Sequence, residues 1–373
     1  MTGGIDPGSV TIEIAVANRR VQTVRICSTR PTTVARLFIG RAADDIPTLA
    51  ERLFALCGRS HRLAASRAVA AALDQPVDQA RRTADAMGLA AERIAETLRG
   101  TVLGDAMPDA RVDPAVVMLL REALSAARTL MMHGLSDGKN SAVHAPALVA
   151  RLASAMHELG VPNAAPNLAP DRRTPIGRLL LEAEGETAFL ARTPDMLTEA
   201  DDRDVIEALR THGESFAAAP VLPGRVAETG AYAKHWQSTA VAATALAARM
   251  YARLHEMAES LDLLQAAATA GVPPEADPVH SEKISPGEGF AALESPRGRL
   301  YHWLKVGPDR QISAYAILAP TEWNFHPRGP LIEALAGAEV GTGEEARRRV
   351  SRLIAVFDPC VSFDIRVQEA ANA

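Results

Sequence analysis

Near its start the chain reads Arg52-Leu-Phe-Ala-Leu-Cys57-Gly-Arg-Ser-His61-Arg-Leu-Ala-Ala-Ser-Arg67-Ala-Val, and almost at its end it reads Asp358-Pro359-Cys360-Val-Ser-Phe363. Each segment holds one cysteine, and the first also holds a histidine four residues later. A deprotonated cysteine is a soft ligand suited to iron and nickel. An isolated Cys-x-x-x-His is weak support for a metal, because a free cysteine is more often a small buried hydrophobe. The interpretation therefore depends on the residues around each cysteine.

The composition describes a folded protein without an electrostatic preference for polyanions. The 373 residues are 47% hydrophobic, which excludes a disordered chain and suffices for one large or two ordinary domains. The formal charge is -5 at pH 7, and acids and bases are interspersed along the sequence. Because no basic stripe forms, we expect no nucleic acid and no anionic membrane as a partner.

Cysteine usage and the N-terminus bear on the compartment. Three cysteines outside any paired framework indicate a reducing environment. The first residues, Met-Thr-Gly-Gly-Ile-Asp-Pro-Gly, lack the charged and then apolar regions of a signal peptide. No apolar run approaches the roughly 20 residues that a membrane helix needs. We therefore predict a cytoplasmic protein that does not insert into a membrane.

Hydrophobic periodicity predicts a mainly α fold with small β-hairpins, of the α+β class. Alternating apolar residues predict one hairpin from residues 10–16 and 21–26, and another from 299–306 and 311–318. Between His61 and about residue 270 the Ala-rich sequence is typical of helices. The predicted helices run from Val77 to Leu98, Pro114 to Met132, Ala145 to Leu159, Thr198 to Thr211 and, with a bend, about Ala231 to Ala268.

The organisation of the chain favours one unit. Segments rich in Pro, Asn and Asp predict loops at residues 161–174 and 273–286, but neither divides the chain cleanly. We therefore predict a single domain over residues 1–373. Its three regions are a hairpin with the first cysteine segment, a helical bundle, and a second hairpin with the second cysteine segment, at residues 1–73, 74–272 and 273–373.

The two cysteine segments resemble the metal-binding motifs of nickel-iron hydrogenase large subunits. In that family the motifs read R-x-C-G-x-C-x-x-x-H-x-L-A-x-x-R-A-V and D-P-C-x-x-C-x-x-H, and their four thiolates hold nickel and an iron with two cyanides and one carbon monoxide. Cys57 matches the second cysteine of the first motif, and Cys360 the first cysteine of the second. The resemblance implies the large-subunit fold, in which a helical bundle brings the two motifs together.

Further segments match the family in the same order. Glu294-Ser-Pro296-Arg297-Gly298-Arg-Leu300-Tyr-His302 resembles E-A-P-R-G-x-L-x-H. Pro320-Thr321-Glu-Trp323-Asn324 resembles P-[ST]-T-W-N, and Glu228-Thr-Gly230-Ala-Tyr-Ala233-Lys234 resembles E-x-G-P-L-A-R. A chance origin for so many ordered matches is implausible.

Several departures from the family weaken the nickel site. Phe54 and Phe363 stand where two of the four cysteines belong, and Arg366 stands in place of the terminal histidine. The N-terminal glutamate that moves protons near nickel is also missing, with Asp6 nearby. Phenylalanine offers no electron pair to a metal. We therefore expect no nickel and no hydrogen catalysis, so the protein is predicted not to be an enzyme.

The resemblance assigns roles to the matching residues. Cys57 and Cys360 are the predicted metal ligands. Arg297 and Thr321 match positions that hydrogen-bond the cyanides, and these donors suit an anionic nitrogen acceptor. Pro296 and Pro320 stiffen the backbone beside each donor.

Two of these residues also have purely structural interpretations. His61 matches a histidine that supports a cysteine sulfur, and one helical turn brings its ring to the sulfur's side. A packing or capping role for His61 remains the alternative. Likewise, a structural ion pair is the alternative for Arg297.

The chain keeps both cyanide-contact positions but only two of the four cysteines. In this it resembles hydrogenase expression/formation proteins of the HupK or HoxV type, which are related to the large subunit. That resemblance implies a scaffold that transiently holds iron as Fe(CN)2CO. Its partners would be Hyp-type maturation proteins and the large-subunit precursor of an uptake nickel-iron hydrogenase. A metal-free chaperone and a divergent large subunit with residual metal chemistry are the competing hypotheses.

Overall fold

The structure is a computed structural model that describes residues 6–104, 113–133, 145–162, 170–239, 242–269 and 276–369. Its α-helices are α1 (Ile46–Leu53), α2 (Gly58–Ala72), α3 (Gln79–Leu103), α4 (Pro114–His133), α5 (Ala145–Leu159), α6 (Pro175–Gly185), α7 (Asp202–His212), α8 (Glu214–Ala218), α9 (Ala231–His235), α10 (Ala245–Thr269), α11 (Pro320–Asn324), α12 (Pro330–Leu335) and α13 (Gly343–Phe357). Its strands are β1 (Ser9–Ala17), β2 (Arg20–Ser28), β3 (Val279–Ser285), β4 (Glu288–Ser295), β5 (Gly298–Val306), β6 (Ile312–Leu318) and β7 (Ser362–Glu369). The predicted helix-dominated α+β class is confirmed.

A three-stranded sheet joins the two ends of the chain. β1 pairs antiparallel with β2, which confirms the first hairpin, and parallel with β7 in the register Val10 to Phe363 and Ile12 to Ile365. Alternate residues of β1 are buried against the bundle helices, as the period of two predicts. The β7 strand was not predicted, because its partner lies at the opposite end of the sequence.

A second sheet has four antiparallel strands in the order β3-β4-β5-β6. The predicted hairpin is its β5–β6 pair. The predicted loop at 273–286 is wrong in part, since β3 occupies Val279–Ser285, while residues 273–275 of that prediction lie outside the described ranges. The α2 helix covers one face of this sheet, and α7 and α8 pack on the other. Gly289 permits the α2 contact, because a Cβ there would lie 2.5 Å from the backbone nitrogen of Ala72.

The helical bundle consists chiefly of α3, α4, α5 and α10, and α6 and α13 pack beside them. Four of the predicted helices are confirmed, although the segment predicted from Thr198 is α-helical only from Asp202. The loop predicted at 161–174 falls partly on residues 163–169, outside the described chain. Within its described parts, no helix combines the length and apolarity required to cross a membrane.

The prediction of one long helix from Ala231 to Ala268 is wrong. The α9 helix continues only as a short 3-10 turn to Thr239, and α10 begins at Ala245. Thr244 begins the new helix by accepting the Ala247 N–H at its hydroxyl, 3.2 Å away. Its neighbour Ala243 accepts a backbone hydrogen bond from Ala191. Local capping and pairing with a distant segment therefore override the Ala-rich helical pattern.

A buried carboxyl group positions the start of α2, the helix that follows Cys57. Cys57 itself provides no side-chain cap. Instead Glu92 of α3 accepts the N–H groups of Arg59 at 2.8 Å and Ser60 at 2.9 Å, together with the Ser60 hydroxyl. Burial raises the pKa of Glu92 to about 7, and the hydrogen bonds from Ser60 and Arg59 oppose that shift. The bundle thus fixes the helix on which the first cysteine motif is built.

We predict that Glu92→Gln lowers the free energy of unfolding by about 1–3 kcal/mol, because the amide NH2 meets a backbone donor that then lacks an acceptor. Because the pKa of Glu92 is higher in the folded state than in the unfolded state, the folded protein binds a proton at Glu92 more tightly than the unfolded chain does. Stability from this group is therefore greatest below about pH 4.5 and falls as the pH rises to about 7. Urea unfolding at several pH values should show this slope in the wild type and a flatter one in the variant. Exposed Glu158→Gln is the control, and an equal loss there would contradict the assignment.

Candidate metal centre

A cavity of about 760 Å³ lies where the first cysteine motif, the turn after β4, α11 and the start of β7 meet. Both predicted metal ligands line it, although they are at opposite ends of the sequence. The predicted site residues that the cavity wall contains are Cys57, His61, Arg297, Pro320, Thr321 and Cys360. Pro296 lines a smaller adjoining cavity. The structure thus brings the predicted ligands and donors together.

Cys57 lies at the N-cap position of α2 and is 8% exposed. The Arg297 guanidinium donates a hydrogen bond from Nη1 to its Sγ over 3.2 Å. Burial raises the pKa of the Cys57 thiol well above its usual range, and Arg297 opposes that shift. Both motif cysteines line the same cavity.

Cys360 follows a sharp reversal of the chain. Asp358 ends α13 in a left-handed conformation with φ 54°, and Pro359 leads directly into the cysteine and β7. The Cys360 Sγ accepts a hydrogen bond from Arg30 Nη1 at 2.9 Å and lies 3.2 Å from the Thr321 hydroxyl. Each motif cysteine therefore contacts one of the two residues predicted to bind cyanide.

Arg297 is held in the tight turn between β4 and β5. Its side chain is 3% exposed and lies 3.4 Å from both Glu96 and Asp358. Burial alone lowers the pKa of Arg297, but Asp358 and Cys57 reverse this effect and raise it well above its usual value. The next residue, Gly298, has φ +127°, and a Cβ there would lie 2.6 Å from the Gly230 nitrogen. The turn therefore requires glycine immediately after Arg297.

Thr321 is positioned by the helix that begins at Pro320. The proline occupies the first turn of α11, where its missing N–H costs no helical hydrogen bond. Both residues are buried. The backbone N–H of Cys360 also points to the Thr321 hydroxyl over 3.5 Å.

His61 forms a buried pair with a second histidine. Its Nδ1 lies 2.9 Å from Nε2 of His302, and Nδ1 of His302 lies 2.7 Å from the Tyr315 hydroxyl. The His61 ring stacks on Phe54 with centroids 3.6 Å apart. Burial lowers the pKa of His61 well below its usual value and that of His302 to about 3, so both rings are neutral. Among the described residues, His61 makes its side-chain hydrogen bond with His302 and not with a cysteine sulfur.

The residues that replace family ligands have apolar or surface contacts. Phe54 and Phe363 line the cavity, and Phe363 also packs against the core beneath β7. The Arg366 side chain is 61% exposed and pairs with Glu13 at 3.1 Å. Of the N-terminal segment, residues 1–5 lie outside the described ranges, and Asp6 accepts the N–H of Gly8.

Sequence reasoning missed two charged residues at the cavity, Arg30 and Glu322. Their side chains pair over 3.2 Å, and Arg30 also contacts Cys360. Glu322 had a signal in the sequence, since it occupies the second threonine position of the P-[ST]-T-W-N pattern. The sequence contained no such signal for Arg30, because Arg30 reaches the cavity only through the path that the chain takes after β2.

A second cluster of metal-ligand residue types lies in the bundle. His235, Glu256 and Glu259 place ligand atoms within 4.8 Å of one another. Lys234 lies 3.1 Å and 2.8 Å from the two carboxylates, and His235 lies 2.8 Å from Glu256. These residues therefore form an ion-pair network in which Lys234 offsets the negative charge of the two glutamates.

The fold is that of hydrogenase large subunits. The family described as nickel-dependent hydrogenase matches residues 212–365. The described chain superposes on the reduced, active Ni-Fe-Se hydrogenase from Desulfomicrobium baculatum with a TM-score of 0.63, at 15% identity over 93% of this chain and 95% of that one.

Full-length relatives define the family more narrowly. The chain is 39% identical over 374 residues to the hydrogenase expression/formation protein HupK of Rhizobium leguminosarum bv. viciae, with 100% of each chain covered. It is 32% identical to the protein of the same name from Bradyrhizobium diazoefficiens, with 98% of each covered. The chain belongs to the HupK/HoxV family of hydrogenase expression/formation proteins. The resemblance inferred from the motifs is confirmed.

The environments of the cysteines predict different thiol reactivities in the metal-free protein. The thiolate is the reactive form, and a pKa increase of one unit reduces its population about tenfold. Cys57 is buried with a raised pKa, whereas Cys27 and Cys360 are partly exposed. We expect iodoacetamide to label Cys57 at least about tenfold more slowly than Cys360. Peptide mass spectrometry over time gives the rates, with Cys27 as internal reference, and equal rates at the two motif cysteines would refute the prediction.

Proposed function

We propose that this protein is a hydrogenase maturation scaffold that carries an Fe(CN)2CO unit to the large-subunit precursor of an uptake nickel-iron hydrogenase. The names of its full-length relatives, hydrogenase expression/formation proteins, support the maturation role. Hyp-type maturation proteins would supply the unit. In this proposal the iron unit is cargo, no nickel is bound, and no reaction is catalysed.

One observation carries the proposal: two cysteine sulfurs and two hydrogen-bond donors converge on one cavity. Arg297 Nη1 lies 3.2 Å from the Cys57 sulfur, and the Thr321 hydroxyl lies 3.2 Å from the Cys360 sulfur. A metal held by both sulfurs would place its remaining ligands near these donors. The donor set therefore fits a soft metal that carries hydrogen-bond acceptors.

The charge of the cavity also fits this cargo. Ferrous iron with two cyanides is neutral, and two thiolates give the bound unit a charge of about -2. The cavity wall presents the guanidinium groups of Arg30 and Arg297 to the sulfurs. These cations and hydrogen bonds would compensate the negative charge of such a complex inside the cavity.

The number of ligands suits a carrier. Two thiolates with hydrogen bonds to the diatomic ligands can hold a preassembled unit, whereas four thiolates around two metals would retain it. Phe54 and Phe363 line the cavity at the positions of the missing cysteines. The site thus favours binding followed by release over permanent assembly. It also gives no support to a divergent large subunit with residual metal chemistry.

A metal-free chaperone is the second candidate, and a specific observation favours it. Both motif sulfurs already accept hydrogen bonds from arginine side chains. The two cysteines therefore need no metal to satisfy their hydrogen-bonding capacity. In this alternative the large-subunit shape alone would recognise a partner, and the cysteines would be dispensable.

We predict that Cys57→Ala and Cys360→Ala each abolish loading of the iron unit and lower hydrogenase maturation, because one thiolate cannot retain the metal. Protein purified anaerobically from a strain with intact maturation genes would be compared by infrared spectroscopy, since bound cyanide and carbon monoxide absorb where protein does not. Elemental analysis should give iron and essentially no nickel in the wild type. Cys27→Ala is the matched control and should load normally. Full maturation by the Cys57/Cys360 double variant would favour the chaperone instead.

We further predict that Arg297→Ala and Thr321→Val reduce the amount of bound iron unit and shift its cyanide bands. Each substitution leaves a buried acceptor without its donor, at a cost of about 1–3 kcal/mol. Thr321→Ser, which keeps the hydroxyl, should retain most of the signal. Arg99→Ala provides the second control, because Arg99 lines the cavity but pairs with Glu96. Unchanged band positions and intensities in Arg297→Ala would count against cyanide recognition.

A further inference from the structure

The contact between Arg30 and Cys360 was not predicted from any motif. Arg30 Nη1 donates to the Cys360 sulfur over 2.9 Å, and its Nε lies 3.2 Å from a carboxylate oxygen of Glu322. The two charged side chains are only 13% and 10% exposed. The buried ion pair of Arg30 and Glu322 therefore contacts Cys360, one of the two predicted metal ligands, through the Arg30 guanidinium.

Both partners of the ion pair are fixed by elements that also build the cavity. Arg30 follows β2 and precedes Pro31, and Glu322 belongs to α11, beside Thr321. The second carboxylate oxygen of Glu322 is buried and has no hydrogen-bond partner within the described chain. Arg30 is thus the cation that neutralises this carboxylate, and it holds the carboxylate's charge beside Cys360.

We propose that Arg30 is a specificity residue that keeps a second divalent cation out of the cavity, because its guanidinium lies against the Cys360 sulfur and places a fixed positive charge there. The inference rests on the proposed carrier function and deepens it. A thiolate that bridges two metals needs two free directions at sulfur. Arg30 and Thr321 already occupy two directions at Cys360.

The choice of arginine suits this role for two physical reasons. Its guanidinium remains protonated at all accessible pH values and has no free electron pair, so it cannot become a ligand. Its positive charge also repels an incoming divalent cation at close range in a poorly solvated cavity. A lysine could lose its proton and coordinate, and a neutral residue would leave the sulfur accessible.

Removal of Arg30 should therefore create a metal site. Glu322 would lose its counter-charge and stand as a free carboxylate in the cavity that both cysteines line. Two sulfurs and one carboxylate are a plausible ligand set for nickel or cobalt. The ion pair thus conceals a third ligand in the wild-type protein.

Anaerobic titration of metal-free, full-length protein with Ni²⁺, and in parallel with Co²⁺, tests this inference. Charge-transfer absorption reports thiolate coordination, and equilibrium dialysis with elemental analysis gives the stoichiometry. We expect Arg30→Ala to bind Ni²⁺ at least about tenfold more tightly than the wild type. The gain should disappear in Arg30→Ala/Cys360→Ala and decrease in Arg30→Ala/Glu322→Gln. Arg99→Ala, which removes another cavity arginine, should show no gain.

Arg30→Leu keeps much of the side-chain volume but has neither a charge nor a donor for the sulfur, so it replaces Arg30→Ala if that variant fails to fold by circular dichroism. Equal Ni²⁺ affinity in the wild type and the folded variant would overturn the proposal. So would the same gain in Arg99→Ala, because net charge rather than the sulfur contact would then control binding. The readout is independent of the iron unit, so failure of iron loading in the infrared experiment and failure of nickel exclusion are separately visible.

Discussion

The buried guanidinium of Arg297 is the interaction on which the arrangement of the cavity depends. A buried cation must be paired, and the partners of Arg297 come from three remote parts of the chain: Cys57 at the start of α2, Glu96 in α3 and Asp358 at the end of α13. One side chain in the β4–β5 turn therefore ties the N-terminal motif, the bundle and the C-terminal motif together. Removing either acid would leave the guanidinium with a single carboxylate partner, and removing the arginine would leave both acids without this cation. The same geometry that stabilises the junction also directs a hydrogen-bond donor at a potential metal ligand.

Backbone pairing supplies the second constraint. The parallel pairing of β1 with β7 fixes the register of Val10 with Phe363, and the left-handed Asp358 turns the chain from α13 into that strand. Cys360 lies within this reversal, so its position is set by a sheet on one side and a helix end on the other. Cys57 is fixed in an analogous way, because Glu92 binds the first N–H groups of its helix. Each cysteine therefore occupies a rigid end of a regular element, which suits a preorganised pair of ligands.

The parts of the molecule that could be predicted from sequence are those encoded locally or by dense motifs. Both hairpins and most bundle helices follow from periodicity, and the convergence of Cys57 with Cys360 follows from the ordered family motifs. The missed features depend on distant partners: β7 needs β1, and the break before Ala245 needs Thr244 and the segment near Ala191. The pairing of His61 with His302 also depends on how α2 lies on β5. Arg30 belongs to the same class, because no local pattern distinguishes an arginine that reaches a cavity from one on the surface.

The contacts in the cavity bear on how a carrier could alternate between states. A buried thiol or thiolate without donors would favour permanent metal binding, because the empty site would be left with unsatisfied groups. Here Arg297 contacts one sulfur, and Arg30 and Thr321 contact the other, so the protein's own donors stabilise the metal-free arrangement. In the carrier proposal Arg297 and Thr321 would exchange between sulfur and the ligands of the cargo without large rearrangement. That exchange would reduce the free-energy difference between the loaded and the empty protein. In the same proposal, two thiolates instead of four would hold the cargo less tightly, and the protein's own donors would stabilise the empty state. Together these two features favour transfer, which is the physical requirement that distinguishes a carrier from an enzyme's permanent metal centre.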